Sequence, residues 1–421
     1  MIEHTSASTP GDSGPGAPSP LDLGYDPWSG AFVADPYPAL ARLREGPRAL
    51  YDERTDQWLV SRHADVNALL RDRRLGRTYH HVATNAEWGR PDPPAEEAAF
   101  WRLLDLQMID QEPPDHTHLR RLVSTAFTPR TVERLRPRID EIASRLVDEA
   151  AALGEFDLIA DLLELLPVSV IAELLGIPVA DRASLRPWSG DMTLVFELNP
   201  SPEDRARAVR AGHDFEAYLR DLARERRRHP TGDLLSELAL VAEAGDRLTE
   251  DELVGTAILL LNAGHEASVN GAANSWYALF RNPAELAALR ADHDLVPTAI
   301  EELLRFDTPA PMFERWVLEE IEIGGIRIPR GQELALQFAA ANRDPAVFAR
   351  ADELVLDRDP NPYLSFGAGI HYCLGAPLAK AEFDIVFRRI LERLPRLELV
   401  EEPAWKPRFI LRGLESLRVH A

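Results

Sequence analysis

Residues 364–380 read LSFGAGIHYCLGAPLAK and carry the chain's single cysteine, Cys373, among Gly367, Gly369 and Gly375. The pattern predicts a loop bent at its glycines that turns into a helix just past the sulfur. Backbone N–H groups at such a helix start supply donors and positive potential, which a thiolate requires. The glycines let the backbone come close to whatever the sulfur binds. Three readings stay open at this level: a buried structural thiol, the commonest fate of a lone cysteine; a nucleophile with His371 as base, although a side chain two residues away rarely reaches in the needed geometry; and a ligand to a bound group that the glycines admit.

Outward from this segment, helical periodicity dominates. In 129–153, Val132, Leu135, Ile139, Ile142, Leu146 and Val147 recur at three- and four-residue spacing. Similar patterns cover 158–175, 202–228, 249–280, 283–306 and 376–394. Strand signals are short: Ile321 and Ile323 alternate with polar neighbours, Gly324-Gly325 supplies a two-residue turn, and Ile326 and Ile328 resume the alternation. A weaker pair lies in 50–60. These patterns predict a mainly α domain with a minor antiparallel β portion.

The segment 249–280 opens with the capping box Thr249-x-x-Glu252 and ends before Asn282-Pro283. Its middle, AILLLNAGHEAS, is apolar on nearly all sides, as in a helix buried through a core. Gly264 in mid-helix costs about 1 kcal/mol against alanine. Close approach of a ligand or of a neighbouring helix would account for it, and Asn262, His265 and Glu266 flank the same spot.

Composition narrows the function. With 47 basic and 69 acidic residues in 421, the net charge is −22, so a nucleic acid or an anionic membrane is a poor partner. One cysteine excludes an internal disulfide, a four-cysteine zinc site and a protein-held iron–sulfur cluster, and fits a reducing, cytoplasmic setting. The longest apolar stretch, 158–177, is broken by Asp161, Glu164 and Glu173, so no membrane span is expected. Residues 1–20 are rich in Ser, Thr, Gly and Pro and read as a disordered tail, with a single domain over 21–421.

Phe366-x-x-Gly369-x-x-x-Cys373-x-Gly375 resembles the haem-binding signature of cytochromes P450. Further resemblances follow in order along the chain: Glu302-x-x-Arg305, Asn342-Arg343-Asp344-Pro345, and Arg358-Asp359-Pro360-Asn361-Pro362. On its own the first is weak, since Glu301 and Arg305 make an ordinary i, i+4 pair. The resemblance implies the P450 fold, with haem b (iron protoporphyrin IX) between a long central helix and the cysteine loop, and Cys373 as axial ligand of the iron. It implies that Phe366 packs beside the sulfur, that Gly367, Gly369 and Gly375 admit the porphyrin, and that Arg358 joins the Glu302–Arg305 pair. It also implies propionate partners at His116, Arg120, Arg315 and His371.

By the same resemblance the chain is a monooxygenase, and Ala263 and Gly264 open space for O2 while Glu266 feeds protons. Most members follow that acid with a threonine; here the position is Ala267. Ser268, one residue on, is rotated about 100° around the helix and is expected to point elsewhere. A hydroxyl of the substrate, or a water it holds, is therefore expected to complete the relay. The substrate is expected to be an apolar steroid, terpenoid, polyketide or fatty-acid-like molecule against Leu259, Asn262, Pro311, Met312 and Phe313, under a lid holding Met192 and Phe196. Electrons are expected from a ferredoxin or flavodoxin-like donor on the cysteine face, where Arg120, Arg121, Arg130, Lys380, Arg388 and Arg389 could form a basic dock, and the chain is expected to be a monomer. A peroxide-dependent or coupling oxidase and a haem sensor without turnover are the alternatives.

Overall fold

A computed structural model describes residues 18–241 and 248–421. The helix Glu250–Arg281 runs through the middle of the chain's largest apolar cluster. Its start is fixed reciprocally, since Thr249 Oγ1 accepts from the Glu252 N–H (3.1 Å) and the Glu252 carboxylate accepts from the Thr249 N–H (2.7 Å). Three acidic residues in its first turn, Glu250, Asp251 and Glu252, face the positive end of the helix dipole. Helices Pro129–Ala151 and Ala376–Arg393 pack together on one side, and Leu185–Met192 and Pro202–Arg228 on the other.

The helical stretch expected over 283–306 is broken into Pro283–Ala291 and Val296–Phe306. At the break Asp292 accepts from the Asp294 N–H (2.9 Å), and Pro297 fits the first turn of a new helix. The stretch over 158–175 opens with a π-helical turn, Ile159–Leu163, before the α-helix Leu165–Leu174.

The β portion is small. Ile321 pairs with Ile328 and Ile323 with Ile326, around Gly324 and Gly325 at φ 60° and 84°. Both are left-handed, as a type I′ hairpin turn needs. A five-stranded sheet runs in the order Leu50–Asp52, Gln57–Val60, Glu333–Leu336, Phe313–Val317, Leu75–Gly76. Its pairings are antiparallel except one: Gln57–Val60 lies parallel to Glu333–Leu336. Local alternation in the sequence cannot report the direction of a partner so far along the chain.

Residues 1–17 of the expected tail lie outside the described residues. Ser19 N and Oγ both donate to the Asp22 carboxylate (3.0 and 2.8 Å), so described structure includes residues on the tail side of the boundary expected at 20. Among the described residues no helix is long and apolar enough to cross a membrane.

Candidate active site

Backbone sterics fix the cysteine loop. Gly367 and Gly369 adopt φ of 68° and 71°, and a Cβ on Gly369 would stand 2.4 Å from the Leu70 carbonyl oxygen. Glycine is thus required at 369 both for conformation and for space. The Cys373 N–H donates to the Phe366 carbonyl oxygen (2.9 Å), folding the loop back on itself. Cys373 Sγ accepts from the backbone N–H groups of Gly375 and Ala376, where the helix Ala376–Arg393 begins. Burial pushes the thiol pKa up against those two donors and Arg120. A metal cation at the sulfur would tip that balance to the thiolate.

Beside the loop lies a group of nitrogen donors, His116 and Arg315 buried and Arg120 and His371 half-buried. Both ring nitrogens of His116 are buried without a hydrogen-bond partner, and its pKa is pulled down to about 4, first by burial and then by His371 and Arg120. Its ring lies 4.4 Å from that of His371, whose Nε2 stands 3.5 Å from Glu112 Oε1 without a hydrogen bond. Arg315 is buried, and its guanidinium makes one hydrogen bond among the described residues, to the Glu314 carbonyl oxygen (2.8 Å). Desolvation and the nearby Arg77 bring its pKa down to about 9. Arg120 Nη2 donates to the Tyr372 carbonyl oxygen (2.7 Å). Buried donors and cations left this poorly paired are costly unless an anion joins them. All four line one cavity with Cys373, Phe366, Gly367 and Gly375, and their chemistry fits the two propionates of a haem. Gly369 is set one step back, seated on Leu70.

The loop is braced from behind by a fully buried ion cluster. Arg305 meets Glu302 through two bonds (Nε–Oε2 2.7 Å, Nη2–Oε1 2.8 Å), and Arg358 Nε joins the same carboxylate at 2.9 Å. The remaining Arg305 donors reach the carbonyls of Asn342, Ala351 and Glu353. Every Arg305 proton and both Glu302 oxygens have partners, the condition under which such a buried pair holds. Glu301, the alternative partner for Arg305, instead pairs with Lys380 (2.7 Å).

Above the sulfur, the central helix presents Leu259, Leu260, Ala263, Gly264, Ala267 and Ser268 to the cavity. These positions form two adjacent rows at i, i+4, i+8 spacing. The cavity is wide enough to face both rows, so Ser268 lines it together with Ala267, contrary to the expectation from helix rotation. A Cβ at Gly264 would meet nothing nearer than Ile171 at 3.8 Å, so the glycine leaves space open. Glu266 does not line the cavity; its Oε2 lies 3.6 Å from Lys406 Nζ.

The family model described as Cytochrome P450 matches residues 189–410. Cytochrome P450 monooxygenase PikC of Streptomyces venezuelae is 41% identical over 413 residues, 96% of this chain and 94% of its own. The chain belongs to the cytochrome P450 family. Vitamin D(3) 25-hydroxylase of Pseudonocardia autotrophica is 39% identical to this P450, over 94% of this chain and 96% of its own. Among solved structures, P450BioI in complex with an acyl carrier protein ligated to hexadec-9Z-enoic acid has a TM-score of 0.86 at 34% identity, covering 93% of this chain and 100% of that one. The cofactor of this P450 is haem b.

The expected substrate contacts divide. Leu259 and Phe313 line the P450 cavity. Asn262 does not, because its Nδ2 donates to Met192 Sδ (3.5 Å), and the two are buried against each other. Met312 is buried under the Tyr25 hydroxyl (3.7 Å), and the Pro311 carbonyl is taken by the Ala339 N–H (2.9 Å). Phe196 lies at the surface, 38% exposed. Sequence reading missed Glu382, which lines the cavity, is fully buried and has its pKa raised by burial alone to about 8. The helical row Gly375, Leu378, Ala379, Glu382, Phe383 lines the cavity throughout, so counting i, i+3, i+4, i+7 from the cysteine loop would have found it.

Proposed function

We propose that this P450 monooxygenase inserts one atom of O2 into an apolar organic molecule of small to medium size: RH + O2 + 2 e⁻ + 2 H⁺ gives ROH + H2O. The observation that carries the proposal is one cavity bounded below by Cys373 and the orphaned donors, and above by the apolar rows of the central helix. When bound, haem supplies the iron at which O2 is reduced and cleaved. We assign Cys373 as its axial ligand and His116, Arg120, Arg315 and His371 as propionate partners. Glu302, Arg305 and Arg358 hold the loop that carries the sulfur. Leu259, Ala263 and Phe313 exclude water and orient the substrate. At pH 7 the Glu382 carboxyl holds a proton on the wall formed by the helix Ala376–Arg393, and the Ser268 hydroxyl lines the wall formed by the central helix, one residue from the missing threonine hydroxyl. Glu266 is the outer proton carrier.

Two relatives frame the substrate class: one is named for vitamin D(3), and another is solved with a fatty acyl chain on a carrier protein. Both molecules are long and apolar, as the cavity lining requires. Electrons come from a separate ferredoxin-type protein at the cysteine face, where Ile370 and Tyr372 are exposed. That dock is less basic than the sequence implies. Lys380 is paired with Glu301, Arg388 with Asp384, and Arg389 with Asp140 and Glu392. The domain spans 21–421 and acts as a cytoplasmic monomer. Ala267 favours one second reading, a peroxide-driven oxidase that bypasses external proton delivery.

The test is the visible spectrum of the reduced protein under carbon monoxide, then vitamin D3 and hexadec-9Z-enoic acid as probes of the haem band and of turnover. A strongly red-shifted band that Cys373→Ser removes, with product formed from O2 and a ferredoxin pair, supports the proposal. Product from hydrogen peroxide alone supports the second reading. A band at the ordinary haem position overturns thiolate ligation.

A further inference from the structure

The acid Glu266 is tied to parts of the molecule that no feature of the cysteine loop touches. Lys406, one of two lysines in the chain, comes from the C-terminal loop, and its Nζ lies 3.6 Å from Glu266 Oε2 and 3.5 Å from Asn270 Oδ1, one turn further along the central helix. That loop is itself gripped by the central helix and by the lid. Asn270 Nδ2 donates to the Leu411 carbonyl oxygen (3.4 Å), and a Cβ on Gly413 would collide with Asn270 Oδ1 at 2.1 Å. From the lid side, Glu197 follows the helix Leu185–Met192 and the turn Thr193–Phe196. Its carboxylate accepts from three successive backbone N–H groups: Phe409 (3.0 Å), Ile410 (3.2 Å) and Leu411 (3.3 Å). Three donors on one carboxylate make a far firmer junction than a lone surface ion pair.

The lid helix also reaches the acid directly. Ser189 Oγ lies 3.2 Å from His265 Nδ1, and a Cβ on Gly190 would stand 3.5 Å from Glu266 Oε1. The acid is thus covered by a lid residue that has no side chain and held by a lysine on a loop that the lid also holds.

We propose that the C-terminal loop 405–414 is a strap joining the lid to the proton-feeding acid, with Glu197 as its latch and Lys406 as the positioning residue of Glu266. A closed lid keeps three amides on Glu197, which places Lys406 against Glu266 and sets where its carboxylate points. A lid that swings away withdraws the latch, and the lysine with it. Access of substrate and delivery of protons are then coupled through Glu197, which lines neither the cavity nor the acid's surroundings. The proposal rests on Glu266 being the outer proton carrier and on 185–197 being the lid over the cavity.

The experiment uses the haem-loaded full chain with a surrogate ferredoxin pair, and reads O2 consumption in H2O and D2O with vitamin D3 as probe, together with hydrogen exchange at the amides of 409–411. Lys406→Met is expected to lower the rate about fivefold and enlarge the solvent isotope effect, with KM unchanged and Lys406→Arg restoring most of the rate. Glu197→Gln, which keeps the shape and one acceptor oxygen, is expected to speed exchange at 409–411 and lower the rate in the same direction. The double variant is expected to be no worse than Lys406→Met alone. Faster exchange at 409–411 with an unchanged rate and isotope effect would overturn the strap. Additive losses in the double variant would also overturn it, since latch and lysine would then act separately. An unchanged isotope effect in Glu266→Gln would instead remove the acid from proton delivery, a different failure that the same measurement identifies.

Discussion

The two walls of the cavity are built by opposite means. Below, the cysteine loop is over-determined: left-handed glycines, a backbone contact that admits no Cβ, two N–H groups on the sulfur and a buried carboxylate shared by two arginines. Above, one regular helix simply exposes two rows of small and apolar side chains. A site that must hold a metal in one geometry is paid for with specific contacts, whereas a surface that selects among organic molecules needs only shape and dryness. Substitutions below should therefore be all-or-none, and substitutions above graded.

The largest expected effect is at the brace. Glu302→Ala would leave Arg305 and Arg358 buried without their counter-charge, at a cost of about 3–5 kcal/mol, and little folded, haem-loaded protein should be recovered from expression. Next comes the propionate cradle. His116→Ala should speed haem transfer to an apo-globin acceptor about tenfold, roughly the worth of one charge-assisted hydrogen bond, while leaving the carbon monoxide band in place. On the upper wall, Ala267→Thr should change product formed per electron pair by less than about threefold, because Ser268 already puts a hydroxyl there. A large improvement would show that this wall depends on one particular group as the lower one does.

The smallest effect sharpens the comparison through pH. The folded pKa of Glu382 is raised from 4.5 to about 8, so the folded state holds its proton more tightly than the unfolded chain does. That contribution is fully present below about pH 4.5 and is lost as pH rises through 8. Glu382→Gln should flatten the fall of Tm between pH 5 and 9, with little change at the acid end; thermal melts across that range measure it.

The lower wall was legible in the sequence because its constraints are local and steric. The pattern Phe366, Gly369, Cys373, Gly375 spells out a backbone path, and Glu302 and Arg305 share a helix face by spacing alone. The upper wall was legible only as a helix. Periodicity places Ala267 and Ser268 100° apart, but how much of the helix circumference a cavity spans depends on the elements packed around it. That is why Ser268, expected to point elsewhere, lines the cavity, and why Asn262 and Met192, expected as contacts, face each other instead. The parallel pairing of Gln57–Val60 with Glu333–Leu336 was hidden for the same reason: it is a property of two distant segments, visible in neither.

The seat of Gly369 on the Leu70 carbonyl oxygen bears on how the protein matures. The surface that receives the cysteine loop leaves the ribosome long before the loop does, so the seat can form only when two segments distant in the chain meet. The site for the iron is therefore incomplete in any chain that lacks either of these two segments.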